Sequence, residues 1–251
     1  MARYGEARLP EGLRLYAIGD VHGELAQLEG HHEAIEADLE ARPVEDWRVV
    51  NVGDLIDRGP ESAGVLERLT GLDNERFLSV CGNHDAYLRL FLDDPEGAPF
   101  RQWMSNGGGA ALASFGVDRA IVSKGDRRAI HSALESALPA PVRAYVEGLP
   151  DKLRFGDFGI VHAGVRPGVS WSRQTADDLH WIRQEFLTHG EPHDVFVVHG
   201  HTPVGRIELK SNRINIDTGA GKGGALSCVI IEGSEIAALG PTGPVALQIA
   251  R

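Results

Sequence analysis

Three times in the first 85 residues a short apolar run stops at a glycine followed by polar, ligand-capable side chains. Leu13-Arg14-Leu15-Tyr16-Ala17-Ile18 runs into Gly19-Asp20-Val21-His22-Gly23. Trp47-Arg48-Val49-Val50-Asn51-Val52 runs into Gly53-Asp54-Leu55-Ile56-Asp57-Arg58-Gly59, and Arg76-Phe77-Leu78-Ser79-Val80-Cys81 into Gly82-Asn83-His84-Asp85. The apolar runs read as buried strands. Between them the apolar spacing turns helical: Leu25, Leu28, His32, Ile35 and Leu39 over 24–41, ended by Pro43, then Val65, Leu66 and Leu69 over 61–70, opened by Pro60. Strand–helix–strand order predicts parallel pairing, with the polar loops at the carboxyl ends of the strands. Such sheets present their sites there.

The loops carry the chemistry. Gly53–Gly59 crowds two carboxylates and a guanidinium into seven residues, which is costly unless cations and a phosphate balance the charge. Asp20 and His22 stand two apart on an extended segment, so they point the same way and could hold one ion. A hard carboxylate oxygen with an imidazole nitrogen suits Mn²⁺, Fe²⁺ or Zn²⁺.

Composition excludes several classes. The 251 residues carry a net charge of −11 with no Lys/Arg-rich run, which argues against nucleic acid as a partner. No stretch approaches the ~20 apolar residues of a spanning helix, which argues against a membrane. Cys81 and Cys228 are the two cysteines, too few for a disulfide framework or a four-cysteine zinc site and suited to a reducing cytosol. Residues 1–10 show no signal peptide, so a cytoplasmic protein is expected. One domain over 1–251 is expected, with 87–150 a mostly helical insert. Within it Asn106-Gly107-Gly108-Gly109, after Trp103, reads as a tight turn between helices.

Residues 1–12 read as a frayed lead-in. From Lys152 the period changes to β, with a hairpin about Gly156-Asp157 whose second strand ends in His162-Ala163-Gly164. Residues 175–188 read as one helix carrying Arg183. A strand over 195–198 leads to His199-Gly200-His201-Thr202-Pro203, and further strands are expected at about 205–210, 213–217 and 224–232, with one or two over 235–250. Gly221-Lys222-Gly223-Gly224 is not a nucleotide-binding loop, since it lacks the earlier Gly and a Ser/Thr after the Lys.

The three opening loops, in this order and each after a strand, resemble the metallophosphoesterase superfamily. Within it the closer resemblance is to the phosphoprotein phosphatase family, especially its short bacterial and phage Ser/Thr phosphatases, over about residues 14–232. Trp103 with the following Asn-Gly-Gly-Gly, the Gly200–Pro203 stretch and Ile216–Ala220 resemble the same branch. The resemblance implies an α/β, calcineurin-like fold: a mixed β-sandwich flanked by helices (αββα) with a dinuclear metal site at the sheet rim. It implies two divalent ions, with Mn²⁺ expected first and Fe, Zn, Ni or Mg as alternatives. The first ion would take Asp20, His22 and Asp54, and the second Asp54, Asn83, His162 and His201, with Asp54 bridging. His199, two residues before His201, is the competitor for the last place. A hydroxide between the ions would attack phosphorus in line. Arg58 and Arg183 would grip phosphate oxygens. His84 would protonate the leaving oxygen, and Asp57 would orient it and favour its protonated form.

One departure bears on substrate. Protein phosphatases of this family usually read Gly-Asn-His-Glu, where this chain has Asp85. Asp there resembles the symmetrical bis(5'-nucleosyl)-tetraphosphatases, which hydrolyse diadenosine tetraphosphate. Those enzymes usually lack a carboxylate at the place of Asp57, which this chain has. The expected activity is therefore phosphomonoester hydrolysis, on phosphoserine or phosphothreonine of a protein or on a small phosphoester, ahead of dinucleoside tetraphosphate. The alternative from another class is a non-catalytic phosphate-binding or scaffold protein. Every expected metal position is filled, which argues against it.

Overall fold

A computed structural model describes residues 1–241 and 243–250. Strand β1 (Leu13–Ile18) is buried along its whole length. Side chains alternate across a strand, and here Leu13, Leu15 and Ala17 enter one buried cluster while Tyr16 and Ile18 enter another. A strand with two dry faces belongs inside a layered structure. β1 pairs in parallel with β2 (Asp46–Asn51), and β2 with β3 (Phe77–Ser79). The second sheet holds β4 (Lys152–Phe155), β5 (Phe158–Val161), β6 (Phe196–His199), β7 (Glu208–Leu209) and β8 (Arg213–Asn215), in the order β4-β5-β6-β8-β7. The chain then returns to the first sheet as β9 (Cys228–Glu232), antiparallel to β1, followed by β10 (Glu235–Gly240) and β11 (Gly243–Ala246).

The two sheets face each other through Leu15, Ala17, Val50 and Val229 on one side and Phe158, Phe196, Val198 and Ile214 on the other. Helices α1 (Leu25–Ala41) and α2 (Ser62–Thr70) cover the outer face of the first sheet. The next stretch is mostly helical: α3 (Asn83–Asp93), α4 (Phe100–Trp103), a π turn (Met104–Gly108), α5 (Gly109–Ser114), α6 (Arg119–Lys124), α7 (Arg127–Ala137) and α8 (Ala140–Gly148). It packs into the same cluster through Phe91, Trp103, Leu112, Ile130, Leu134 and Val146. On the far side, α9 (Ala176–Trp181) and α10 (Gln184–Leu187) pack Leu179 and Phe186 against Val161, Val195 and Val197. The result is the expected αββα arrangement of mixed sheets. Among the described residues no helix is long and apolar enough to cross a membrane.

Three local expectations are corrected. Residues 1–12 are not frayed: Ala2, Ala7 and Leu9 enter the inter-sheet core, and the backbone N–H groups of Ala2 and Leu9 donate to the carbonyls of His193 and Gly233, both at 2.9 Å. Gly82-Asn83-His84-Asp85 is the opening turn of α3 rather than a loop, closed by the Asp85 carboxylate accepting from the Gly82 N–H at 2.9 Å. The glycine run, by contrast, is the expected tight turn between helices, kinked at Gly107 (φ 113°) between α4 and α5, and the Gly107 carbonyl accepts from the Arg58 N–H at 3.3 Å. Residues 175–188 form two short helices, parted where Ile182 takes ψ 141° and Arg183 takes φ −132°, ψ −97°. Leu179, Ile182 and Phe186 keep helical spacing across the break, so periodicity could not reveal it.

Candidate metal centre

β1, β2, β3, β5 and β6 end at one rim, and the segments that follow them, the first turn of α3 among them, deliver the site. The backbone there is held in an unusual state. Among the described residues, the non-glycine residues with positive φ are His22, Asp54, Asp57, Arg58 and His201, and all five are candidate site residues. Left-handed backbone costs an L-residue roughly 1–2 kcal/mol each. Such strain gathers where the surrounding structure must aim a side chain. The loops brace one another: the His22 N–H donates to the Asp54 carbonyl at 2.8 Å, and the Asp57 N–H to Ser62 Oγ at 3.0 Å.

Hydrogen bonds set the histidine tautomers. His22 Nδ1 lies 2.9 Å from the Ile56 carbonyl and His162 Nδ1 3.0 Å from that of Val52. A carbonyl can only accept, so each Nδ1 carries a proton and each Nε2 is the ring nitrogen turned inward. His22 Nε2 stands 3.5 Å from Asp54 Oδ2. His162 Nε2 stands 3.3 Å from Asp54 Oδ1, 3.0 Å from Asn83 Oδ1 and 3.1 Å from His201 Nδ1. Two groups with metal-ligand spacing result, His22–Asp54–His84 and Asp54–His162–His201, both fully buried. Asp54 belongs to both, each oxygen turned to one group.

The remaining expected residues lie around these groups. Asn83 joins the second through His162. Asp20 lies outside both, with Oδ2 accepting from the His201 N–H at 3.0 Å and Oδ1 buried without a partner. A Cβ on Gly200 would run into that Oδ1, so the glycine is what lets the His201 loop close on Asp20. His199 turns away: its Nδ1 lies 3.1 Å from the Gly200 carbonyl and its ring packs on Phe186 at 4.9 Å. Arg58 donates to both His22 Nε2 and His84 Nε2, the latter at 3.0 Å. Arg183 stands at the break between α9 and α10, exposed, with its guanidinium donating to Thr202 Oγ1 at 3.3 Å. His84 Nδ1 lies 2.6 Å from Asp57 Oδ2, and the His84 N–H donates to Asp54 Oδ1 at 2.9 Å.

Three further residues were not given roles in the sequence. Asp217, 2% exposed, lies close enough that its charge is the largest cause after burial for raising Asp20 well above the carboxylate range. The Trp103 indole N–H donates to Asp57 Oδ2 at 2.9 Å. Tyr87 sets its ring edge-on to His84 at 6.0 Å and to Trp181 at 5.2 Å. Asp85 also takes on a definite part: its Oδ1 accepts from the Leu55 N–H at 3.0 Å while Oδ2 holds the Gly82 N–H. Both oxygens are spent on backbone. Burial raises the carboxyl to about 7, helped by the charge of Asp54.

The donor set fits divalent cations. Buried carboxylates need opposite charge close by. Burial disfavours charge on His162, yet Asp54 and Asp20 outweigh it and raise the imidazole to about 9. The cluster as built draws positive charge. The bare Asp20 Oδ1 is a buried polar atom of the kind a ligand accounts for. Carboxylate and amide oxygens with imidazole nitrogens are the donors of first-row divalent ions.

Comparison with known proteins agrees with this geometry. The Calcineurin-like phosphoesterase family profile matches residues 13–222. Serine/threonine-protein phosphatase 1 of Salmonella typhimurium is 30% identical over 226 residues, covering 87% of this chain and 92% of its own length. The symmetrical bis(5'-nucleosyl)-tetraphosphatase of Methylococcus capsulatus is 30% identical over 164 residues, but these cover 65% of this chain and 47% of that protein. The solved structure of a cold-active protein-tyrosine phosphatase from a psychrophilic Shewanella shares the fold at TM-score 0.58 and 14% identity, over 92% of this chain and 80% of that one. A chain with this fold, these converging ligand groups and a family match over most of its length belongs to the calcineurin-like phosphoesterases, hydrolases of phosphoric ester bonds.

Proposed function

We propose that this phosphoesterase hydrolyses phosphomonoesters, with phosphoserine and phosphothreonine of proteins as the leading substrates. The observation that carries the reading is the 2.6 Å contact between His84 Nδ1 and Asp57 Oδ2. An alkoxide leaving from serine or threonine is a strong base and needs a proton as it departs. A nucleoside diphosphate leaving from a polyphosphate is a far weaker base and needs it much less. A His braced by a carboxylate is therefore worth keeping for an ester, and it supports the phosphomonoester over the dinucleotide. Asp85 does not oppose this, because both its oxygens serve backbone N–H groups and neither faces a substrate.

Asp20, His22 and Asp54 would hold one ion, and Asp54, Asn83, His162 and His201 the other. When bound, two divalent ions supply Lewis acidity, neutralising phosphoryl oxygens and acidifying water. The mixed oxygen and nitrogen donors suit Mn²⁺, Fe²⁺ or Zn²⁺, and Mn²⁺ is the ion proposed first on the resemblance. Arg58 and Arg183 grip phosphate oxygens from two sides, with planar forks suited to that geometry. His84 Nε2 delivers the proton to the leaving oxygen. Asp57 fixes the ring's orientation through Nδ1. Two buried, unpaired cysteines fit a protein working in the cytoplasm.

The symmetrical dinucleoside tetraphosphatase is the second reading, favoured by the names of relatives. The deciding experiment measures kcat/KM with Mn²⁺ for phosphoserine and phosphothreonine peptides beside diadenosine tetraphosphate. The peptides should be preferred, and the reverse order overturns the assignment. His84→Asn should keep both metals by elemental analysis and lose about 10²–10⁴ in turnover on phosphoserine. Full turnover would remove His84 from the role of acid.

A further inference from the structure

The helical segment between β3 and β4 reaches into the proposed acid pair. Asp57 Oδ2 accepts two hydrogen bonds, one from His84 Nδ1 at 2.6 Å and one from Trp103 Nε1 at 2.9 Å. Asp57 Oδ1 is buried with no partner. The carboxylate is therefore aimed through one oxygen, and of its two donors only His84, in the first turn of α3, belongs to the segments that follow the rim strands.

Trp103 is itself held. It is 1% exposed, with Phe91 and Phe100 at ring separations of 5.4 and 6.2 Å. The π turn that follows folds back over the indole. A Cβ on Gly108 would come within 2.7 Å of Trp103 Nε1, and one on Gly107 within 2.8 Å of Arg58 Cγ. The Gly107 carbonyl accepts from the Arg58 N–H at 3.3 Å. The turn thus needs its glycines because backbone lies directly against the indole on one side and Arg58 on the other. One segment of chain consequently contacts Asp57 by side chain and Arg58 by backbone.

We propose that Trp103 is a positioning residue for the reaction. Its indole N–H fixes the Asp57 carboxylate in the orientation that keeps His84 aimed at the leaving oxygen, and the Gly107–Gly108 turn locks the indole in place. An indole N–H has no acid–base function near neutral pH and can only donate. It therefore anchors the carboxylate without competing for the proton that His84 moves. The inference rests on the phosphomonoesterase reading, in which His84 is the acid.

The test is a leaving-group series with the metal-loaded, full-length protein. Rates on aryl and alkyl phosphates of graded leaving-group basicity are compared for wild type, Trp103→Phe, and protein carrying benzothienylalanine at position 103. The last keeps the bicyclic shape and removes only the N–H, so it holds the question open should the phenylalanine variant fold poorly. Both replacements should lower kcat about tenfold on the most basic leaving groups, a part of the 10²–10⁴ that acid catalysis supplies. They should leave the least basic nearly unchanged, so the dependence on leaving-group basicity steepens. KM and bound metal should stay as in wild type. In an Asp57→Asn background the same replacements should add little, since the group that Trp103 aims is already changed. An unchanged slope in an active enzyme overturns this inference alone, as does a full loss that persists in the Asp57→Asn background. A wild-type protein inert on every ester with Mn²⁺ overturns the phosphomonoesterase reading and this inference together.

Discussion

At the residue scale the site is built from backbone that most side chains avoid. His22, Asp54, Asp57, Arg58 and His201 all sit at positive φ. Arg58 offers the cleanest measure of the strain, because it is partly exposed and its φ is +67°. Arg58→Ala and Arg58→Gly remove the same guanidinium, yet glycine takes a left-handed backbone without the Cβ penalty. Arg58→Gly should be more stable than Arg58→Ala by about 1 kcal/mol, read from denaturant unfolding of the two variants. Equal stability, or alanine ahead, would mean the loop is not strained at this residue. Both variants should bind substrate more weakly, since each lacks the guanidinium proposed to hold the phosphate.

The same scale shows what the amino-acid string can reveal. Asp54, His22 and Asn83 were legible because each follows a glycine-rich break after a strand, a local pattern with a local cause. Asp217 and Trp103 were not. Trp103 reaches Asp57 across 46 positions of chain, and the charge of Asp217, late in the sequence, acts on Asp20 near its start. Such contacts are set by how layers stack, which local spacing does not encode. Asp85 was visible, but its meaning was not. Its identity suggested a substrate difference, whereas the structure assigns both its oxygens to backbone donors.

At the scale of elements, α2 works as a brace as well as a cover. Its first residue, Ser62, is fully buried, and its hydroxyl accepts the Asp57 N–H at 3.0 Å. Ser62→Ala leaves that buried N–H unpaired, which costs about 1–3 kcal/mol. Ser62→Thr keeps the hydroxyl and should recover part of the loss. Urea unfolding of the three proteins checks this, and a change below about 0.5 kcal/mol for Ser62→Ala, the range of a neutral surface substitution, would sink it. The elements the sequence missed share a physical reason. Residues 1–12 gain order by contact with residues distant in the chain, among them Asp157, His193, Ser211 and Gly233, and the bend at Arg183 preserves the apolar spacing of an unbroken helix.

For the whole molecule, buried neutral histidines away from the metal groups set its response to acid. His32 is 2% exposed in α1 and its Nδ1 accepts from Arg68 Nε at 3.0 Å, which requires the neutral ring. Burial, then the charge of Arg68, lowers it to about 4. His193 is 7% exposed against Phe186, and burial, then its neighbours His189 and Arg213, lower it to about 4 as well. Each stays neutral in the folded protein but titrates near 6.5 once unfolded. Between those values the unfolded chain binds more protons, so stability rises with pH. Their contribution is full above about pH 6.5 and is lost as pH falls through about 4, on the order of 1–3 kcal/mol for each ring. Denaturant unfolding at several pH values from 7.5 to 4, with chelator present throughout, should show this fall for the wild type. The histidines of the two candidate metal groups are ionisable too, so the informative comparison is with the His32→Gln/His193→Gln protein. Glutamine can still accept from Arg68 and takes up no proton in this range. Its stability curve should be flatter than that of the wild type over the same window, and parallel curves would show that these two rings do not contribute to the acid sensitivity.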